Sequence, residues 1–257
     1  MQFQIIESSS SGNSAFFEAD GVKILIDAGV GMKKIKRYLD AQNLALEDLD
    51  GVFITHEHSD HFQSLHCFAG TSVKVFANRA TAECIRYKDA DTKKLNWQIF
   101  DTGREFDFYG IDISSFSIPH DTSDPVGFRF VHAGKTLVYA TDLGKITNSI
   151  RDIATRADVL VLESNYCPVM LERSNRPYRL KCRIRSTNGH LSNADAISLL
   201  RELPQNVERV FLAHVSRECN APEHIAELLS QSDLPPERLS KIEIVSPFNK
   251  SSSFLSF

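Results

Sequence analysis

Six consecutive residues, His56, Glu57, His58, Ser59, Asp60 and His61, put four nitrogen and oxygen donors on one short loop. An apolar run, Val52 to Thr55, leads directly into them. His56 and His58, two apart on an extended segment, point the same way, while Asp60 and His61 begin a helix and face a neighbouring position. Such a loop can serve two metal ions. Further donors follow predicted strands: His120 after Ser115 to Pro119, Asp142 after Val138 to Thr141, and His214 after Val210 to Ala213. A donor at the end of a rigid strand is where a preorganised site is usually built. A single histidine is more often a hydrogen-bonded core or surface residue, and His66, His132 and His224 are read that way. The cluster and its three strand-end companions are read as a binuclear centre.

Imidazole and carboxylate donors without thiolate suit Zn²⁺, Mn²⁺ or Fe²⁺. Two such ions about 3.5 to 4 Å apart lower the pKa of a shared water and stabilise the attacking and leaving oxygens of a displacement. The expected reaction is therefore hydrolysis by hydroxide, with Asp60 both a ligand and a candidate catalytic carboxylate. A poor leaving group also needs a proton, and His190 is the candidate donor. Glu163, ending an apolar strand, is expected to orient it. Ser192 and Asn193 start a helix whose free amides suit a phosphate. Asp27, ending Ile24 to Ile26, is expected to accept a hydrogen bond from a metal-binding histidine, with a turn aspartate as the alternative. Asp121, beside His120, is open to either role.

The elements that must position these groups read as short strands with flanking helices in each half. Hairpins are expected at Asp20-Gly21, Tyr109-Gly110 and Ala133 to Lys135. Helices are expected over 31–41, 145–156, 193–203 and 221–231, the last two started by capping boxes at Ser192/Asp195 and Asn220/Glu223. The pattern predicts an α/β fold, a four-layer αββα sandwich, as one domain spanning residues 1–257. With 42% apolar residues the chain can bury a large core.

Net charge is −4 and the pI about 6.1, so any polyanion site must be local. Between Glu172 and Arg185 lie six basic residues, Arg173, Arg176, Arg179, Lys181, Arg183 and Arg185, against one acid. Lys181 and Arg183, with Tyr178 for base stacking, are candidate backbone contacts; a solvated face is the alternative. The five scattered cysteines lack metal-site spacing and read as reduced thiols. With no signal peptide and no apolar run approaching the ~18 residues of a membrane span, the chain is expected to be soluble, cytoplasmic and without membrane partners. The sequence carries no signal for an oligomeric state.

The order HxHxDH, His120, Asp142, His214 resembles the metallo-β-lactamase superfamily over nearly the whole chain. Ser10 to Asn13, Pro177 to Ile184 and Gly189 to Asn193 look like its bacterial WalJ/YycJ-like branch, regarded as 5′ to 3′ DNA exonucleases. The resemblance implies one ion on His56, His58 and His120, another on Asp60, His61 and His214, and Asp142 between them. It also brings Asn13 in as a candidate substrate contact, and it is similar to tRNA- and DNA-processing members in which a glutamate and a histidine at the places of Glu163 and His190 assist leaving-group departure. The implied substrate is nucleic acid, at DNA ends, in DNA repair. Alternatives are a small-molecule hydrolase, such as a cyclic phosphodiesterase, lactonase or thioesterase, and a non-catalytic metal-binding regulatory protein.

Overall fold

The computed structural model describes residues 1–248 and 250–257. In the N-terminal half, β1 (Gln2–Ser9), β2 (Gly12–Ala19) and β3 (Val22–Ile26) form an antiparallel meander. After helix α1 (Met32–Ala41) the chain adds β4 (Gly51–Phe53), crosses over α2 (Ser59–Phe62) to β5 (Lys74–Asn78), and over α3 (Arg79–Lys88) to β6 (Asn96–Phe100). These three additions are parallel. The second half repeats the plan. Strands β7 (Glu105–Phe108), β8 (Ile111–Ser117), β9 (Val126–His132) and β10 (Lys135–Ala140) are antiparallel. Helix α4 (Asn148–Ala154) leads to β11 (Val159–Glu163), and α5 (Pro168–Arg173), α6 (Tyr178–Arg185) and α7 (Asn193–Glu202) lead to β12 (Arg209–Ala213). Helices α8 (Pro222–Ser230) and α9 (Pro236–Leu239) precede β13 (Ile242–Ile244), and β14 (Leu255–Ser256) returns to pair with β1. Each half thus supplies most of one seven-stranded mixed sheet.

Three apolar layers explain the stacking. Phe3, Phe17 and Phe53 of one sheet meet Phe128, Phe130 and Phe211 of the other. The outer face of the first sheet buries Leu25, Val52 and Val75 against Ile35 and Leu39 of α1 and Ile85 of α3. The outer face of the second buries Val138, Leu160 and Leu212 against Ile150 of α4, Leu199 of α7 and Ile225 of α8. Strands covered on both faces need apolar residues at nearly every position, which is why β11 reads Val-Leu-Val-Leu. The result is the expected αββα sandwich.

The helix near 145–156 is shorter than expected, beginning after a Thr147 cap whose side chain accepts a hydrogen bond from Ile150 N. Ser192 caps α7 as predicted, but α8 starts after Ala221. Asn220 is instead buried, its Oδ1 accepting from Asn193 Nδ2 and Ala221 N. Strands β5 and β6 and the helical state of the basic segment were not legible in the sequence, because short apolar runs and charged stretches carry no decisive period. Among the described residues no helix is long and apolar enough to cross a membrane.

Candidate metal centre and active site

All seven proposed ligands meet where strands end along one rim of the two sheets. Strand β4 runs out into extended residues carrying His56 and His58, and the single turn of α2 turns Asp60 and His61 inward. Gly29 allows this loop to sit down: a Cβ there would lie 1.6 Å from the Asp60 carbonyl oxygen. The Ala28 amide donates to the His61 carbonyl at 2.8 Å and ties the two chains together. Three strand-end residues, Asp27, Asp142 and His214, take left-handed backbone φ of 61°, 60° and 54°. Such conformations are uncommon for residues with side chains and cluster at functional sites.

The donor atoms fall into two groups. His58 Nδ1 lies 3.1 Å from His56 Nε2 and 3.2 Å from His120 Nε2. His61 Nε2 lies 3.6 Å from Asp60 Oδ2, and that oxygen lies 3.9 Å from His214 Nε2. Asp142 stands between, with Oδ2 3.3 Å from His61 Nε2 and Oδ1 3.4 Å from His214 Nε2 and 3.9 Å from His120 Nε2. Atoms held about 2.0 to 2.1 Å from one tetrahedral ion lie about 3.3 Å apart, so these separations fit ligands that share ions. The chemistry of the orphaned atoms agrees: among the described residues, Asp142 Oδ2 and His214 Nε2 are buried without a hydrogen-bond partner. Unpaired buried polar atoms cost free energy, and an ion in their midst removes that cost. The donor set therefore fits divalent metal.

Outer partners fix which ring nitrogen faces inward. His61 Nδ1 donates to Asp27 Oδ2 at 2.7 Å, His120 Nδ1 to the Gly189 carbonyl at 2.9 Å, and His214 Nδ1 to Glu163 Oε1 at 2.9 Å. His56 Nδ1 pairs with Thr55 Oγ1 at 3.0 Å, and the Thr55 amide and hydroxyl both donate to Asp27. Asp27 is fully buried, and its hydrogen bond holds the His61 ring in place. Replacing Asp27 by Asn should weaken divalent affinity about 10- to 100-fold, measured by competition with a chromogenic chelator.

Charge is distributed unevenly. Burial, followed by the neighbouring His61 and His120, pulls His56 well below the usual histidine range. Burial and His120 bring His58 down to about 4. Burial and the neighbouring imidazoles thus favour the neutral form of both rings, the form that binds a metal. Burial also opposes charge on His61, but Asp27, Asp142 and Asp60 outweigh it and raise it to about 9. Against the same burial, Asp142, Asp60 and Glu163 raise His214. In the metal-free chain, then, the neighbouring carboxylates favour the charged form of both rings.

A sign follows for pH. The raised His61 contributes stability to the metal-free chain that is complete below the unfolded value of about 6.5 and is lost as pH rises through about 9. A ligand must be deprotonated, so metal affinity should rise across that window. Calorimetry in buffers of differing ionisation enthalpy should show net proton release on metal binding at pH 7.

His190 stands beside the centre. Its Nδ1 donates to Glu163 Oε1 at 2.7 Å, the same oxygen that accepts from His214, which leaves Nε2 for the pocket. Although burial pushes its pKa up, His190 and His214 hold the Glu163 carboxyl well below the usual range. Glu163 Oε2 accepts from the Leu143 and Leu191 amides at 2.8 and 3.1 Å. One buried carboxylate therefore orients both a metal-site histidine and the candidate proton donor; the sequence had suggested only the second.

A cavity of about 240 Å³ opens over these groups, lined by His58, Asp60, Asp142, His190 and His214 on one side and Arg176, Leu180 and Arg183 on the other. Three sequence-derived substrate contacts do not reach it. Asn13 is fully buried, with Nδ2 3.0 Å from His61 Nε2 and 3.3 Å from Asp60 Oδ2. Ser192 Oγ accepts from the Asp195 amide as a cap, and Asn193 Nδ2 donates to Asn220 Oδ1. Asn13 braces the site from behind, while Ser192 and Asn193 secure the start of α7. Lys181 donates to the Glu172 carbonyl and is absent from the lining, whereas Arg183 is part of it. Arg176, lost among neighbouring cations in the sequence, also lines the cavity, from the segment that joins α5 to α6. Asn165, two residues beyond β11, also lines it and donates to the His214 carbonyl at 2.8 Å.

Fold and site together define the class. The profile of the beta-lactamase superfamily domain matches residues 22–215, and the chain belongs to that superfamily, in its metallo-β-lactamase form. It is 36% identical over 241 residues to exodeoxyribonuclease WalJ of Streptococcus pneumoniae, covering 91% of this chain and 90% of that one. It is 29% identical over 233 residues to exodeoxyribonuclease YycJ of Bacillus anthracis, covering 90% and 88%. The metallo-beta-lactamase fold protein YhfI from Bacillus subtilis superposes with a TM-score of 0.72 at 16% identity, over 99% of this chain and 98% of that one.

Proposed function

We propose that this chain is a metal-dependent exodeoxyribonuclease that removes nucleotides from DNA ends in the 5′ to 3′ direction, all 257 residues acting as one domain. The observation that carries the reading is the cavity itself: four of the seven candidate metal donors, His58, Asp60, Asp142 and His214, and a carboxylate-held histidine face two arginines across a space sized for a small polyanionic group. The names of the WalJ and YycJ relatives support DNA as the polymer.

His56, His58 and His120 would hold one ion, Asp60, His61 and His214 the other, with Asp142 between them. Bound there, two divalent cations, Zn²⁺ or Mn²⁺ with Fe²⁺ as a variant, would acidify a water and neutralise charge on the reacting phosphate. The chain's own residues do the rest. Glu163, ionised and held by two amides, keeps the His190 proton on Nδ1 in the resting ring, so that Nε2 takes up a proton from solvent and delivers it to the departing oxygen. Arg183 and Arg176 attract and hold the backbone phosphates. Asn13 and Asp27 fix Asp60 and His61. We place the protein in the cytoplasm, in DNA repair.

The test is cleavage of 5′-phosphorylated duplex DNA, single-stranded DNA and RNA by Mn²⁺-loaded protein. Stepwise, metal-dependent loss from 5′ ends of DNA is expected. If every nucleic acid survives while an aryl phosphodiester is hydrolysed, the substrate is a small phosphodiester and the exonuclease reading fails.

A further inference from the structure

Asp121 follows a metal-site histidine, yet its hydrogen bonds come from across the cavity. Arg183 donates to both of its oxygens, Nη2 to Oδ1 at 3.1 Å and Nε to Oδ2. The same Oδ1 lies 3.5 Å from His120 Nε2 and 3.9 Å from His58 Nε2. Both partners line the cavity, and both are accessible, the Asp121 side chain 31% and that of Arg183 50% exposed. The pair spans the mouth of the site from the metal loops to α6.

The surrounding charges make that contact consequential. The floor carries the carboxylates of Asp60 and Asp142, and the other lining cation, Arg176, donates from Nε to Glu218 Oε2 at 3.0 Å. An entering phosphate therefore finds carboxylates beneath it and guanidinium groups already engaged. The Arg183 main chain is fixed by packing. Gly189 comes so close that a Cβ would lie 2.2 Å from the Arg183 carbonyl oxygen, which also accepts from the Ser186 amide at 3.1 Å. A rigid pivot carries a half-exposed head.

We propose that Arg183 and Asp121 form an exchangeable latch in which Asp121 occupies the guanidinium in the ligand-free protein and a substrate phosphoryl group displaces it. The planar fork fits carboxylate and phosphate alike, so the exchange conserves hydrogen bonds. An accessible ion pair shifts an equilibrium by no more than about fivefold, so the latch opens readily. Asp121 acts as an internal competitor: an anion that contacts Arg183 alone gains little, while a phosphodiester that also reaches the metal centre gains enough to displace it. The proposal rests on the reading of the site as a phosphodiesterase.

The test compares the unaltered protein, Asp121→Asn, Arg183→Ala and the double variant, all metal-loaded at low salt. Three quantities are measured: inorganic phosphate binding by calorimetry, KM for bis(4-nitrophenyl) phosphate, and bound metal. Asp121→Asn should bind phosphate about fivefold more tightly and lower KM, with unchanged metal content. Arg183→Ala should bind it more weakly, and the double variant should match Arg183→Ala, since nothing remains to compete for. Three outcomes overturn the latch. Weaker phosphate binding by Asp121→Asn makes Asp121 an orienting group, and loss of metal makes it a ligand. A gain that persists in the double variant reduces its effect to general charge. If none of the four proteins hydrolyses a phosphodiester, the phosphodiesterase reading fails, while the phosphate-binding comparison still decides the exchange.

Discussion

Replacing Asp60 and His61 together by Ala should remove one ion-binding group and lower hydrolysis of any phosphodiester by about 10³- to 10⁴-fold, the equivalent of several kcal/mol of lost charge stabilisation. The two side chains supply two of the three donors in the group that His214 completes, and His61 also carries the contact to Asp142 at 3.3 Å. The first group, His56, His58 and His120, shares no side chain with them and should retain an ion. Metal analysis is therefore part of the measurement. Content near half that of the parent, with activity lost, is the expected pair of results; full metal content with activity lost would move Asp60 and His61 out of the ligand set. The fold should survive, because the apolar layers lie away from the loop and Phe62 still anchors α2 in the core.

Replacing His190 by Ala should separate leaving groups. Removing a general acid costs about 10²- to 10⁴-fold where the departing oxygen needs a proton, and little where an activated aryloxide leaves unaided. Turnover of DNA should fall by that factor while bis(4-nitrophenyl) phosphate is hydrolysed within a few-fold of the parent rate. Equal losses on both substrates would sink the proton-donor role. His190 stacks on His214 with ring centroids 5.3 Å apart and its Nδ1 lies 3.8 Å from Asp142 Oδ1, but it is not one of the seven proposed ligands, so most of the metal content should be retained. Glu163→Gln should differ on that point: its Oε1 accepts from His190 and from His214, so the substitution disturbs the proton donor and a metal-site ring at once. A loss of both leaving-group assistance and metal affinity distinguishes Glu163 from His190.

The structure also reassigns the polar residues around the cavity. The helix start at Ser192 and Asn193 suggested free amides for a phosphate, but the Asn193 amide donates to the Tyr166 carbonyl at 3.0 Å, and the Asn13 side chain is taken up by internal hydrogen bonds. Ser8 shows the same economy of polar groups: its hydroxyl accepts from the His214 amide at 2.9 Å and donates to Asn13 Oδ1 at 3.1 Å. The N-terminal hairpin thereby braces ligands more than forty residues and more than two hundred residues away. Of the cations that do reach the cavity, Arg183 is set by the helical repeat of α6, which spreads a linear run of charge around a cylinder and points only part of it at the site, and Arg176 by the segment that joins α5 to α6.

The amino-acid sequence by itself determined the chemistry. A donor-rich loop after an apolar strand, followed by His120, Asp142 and His214 at strand ends, leaves few alternatives to a metal site, since such residues are otherwise disfavoured at the edge of a core. Alternating apolar segments and turn residues likewise determined the hairpins and the layered sandwich, because those signals are local. What the tertiary structure decided is everything that depends on distance between remote residues. It divided the donors into two groups and placed Asp142 between them. It gave Glu163 two histidines to hold, set Asp27, Asp142 and His214 in left-handed conformations, and turned Asn13 inward rather than toward substrate. Residues 13, 60 and 214 acquire their relation only when two sheets pack face to face, and no local propensity encodes that contact. The pairing of Asp121 with Arg183 across the cavity arises in the same way, from the docking of α6 against the loop that carries Gly189.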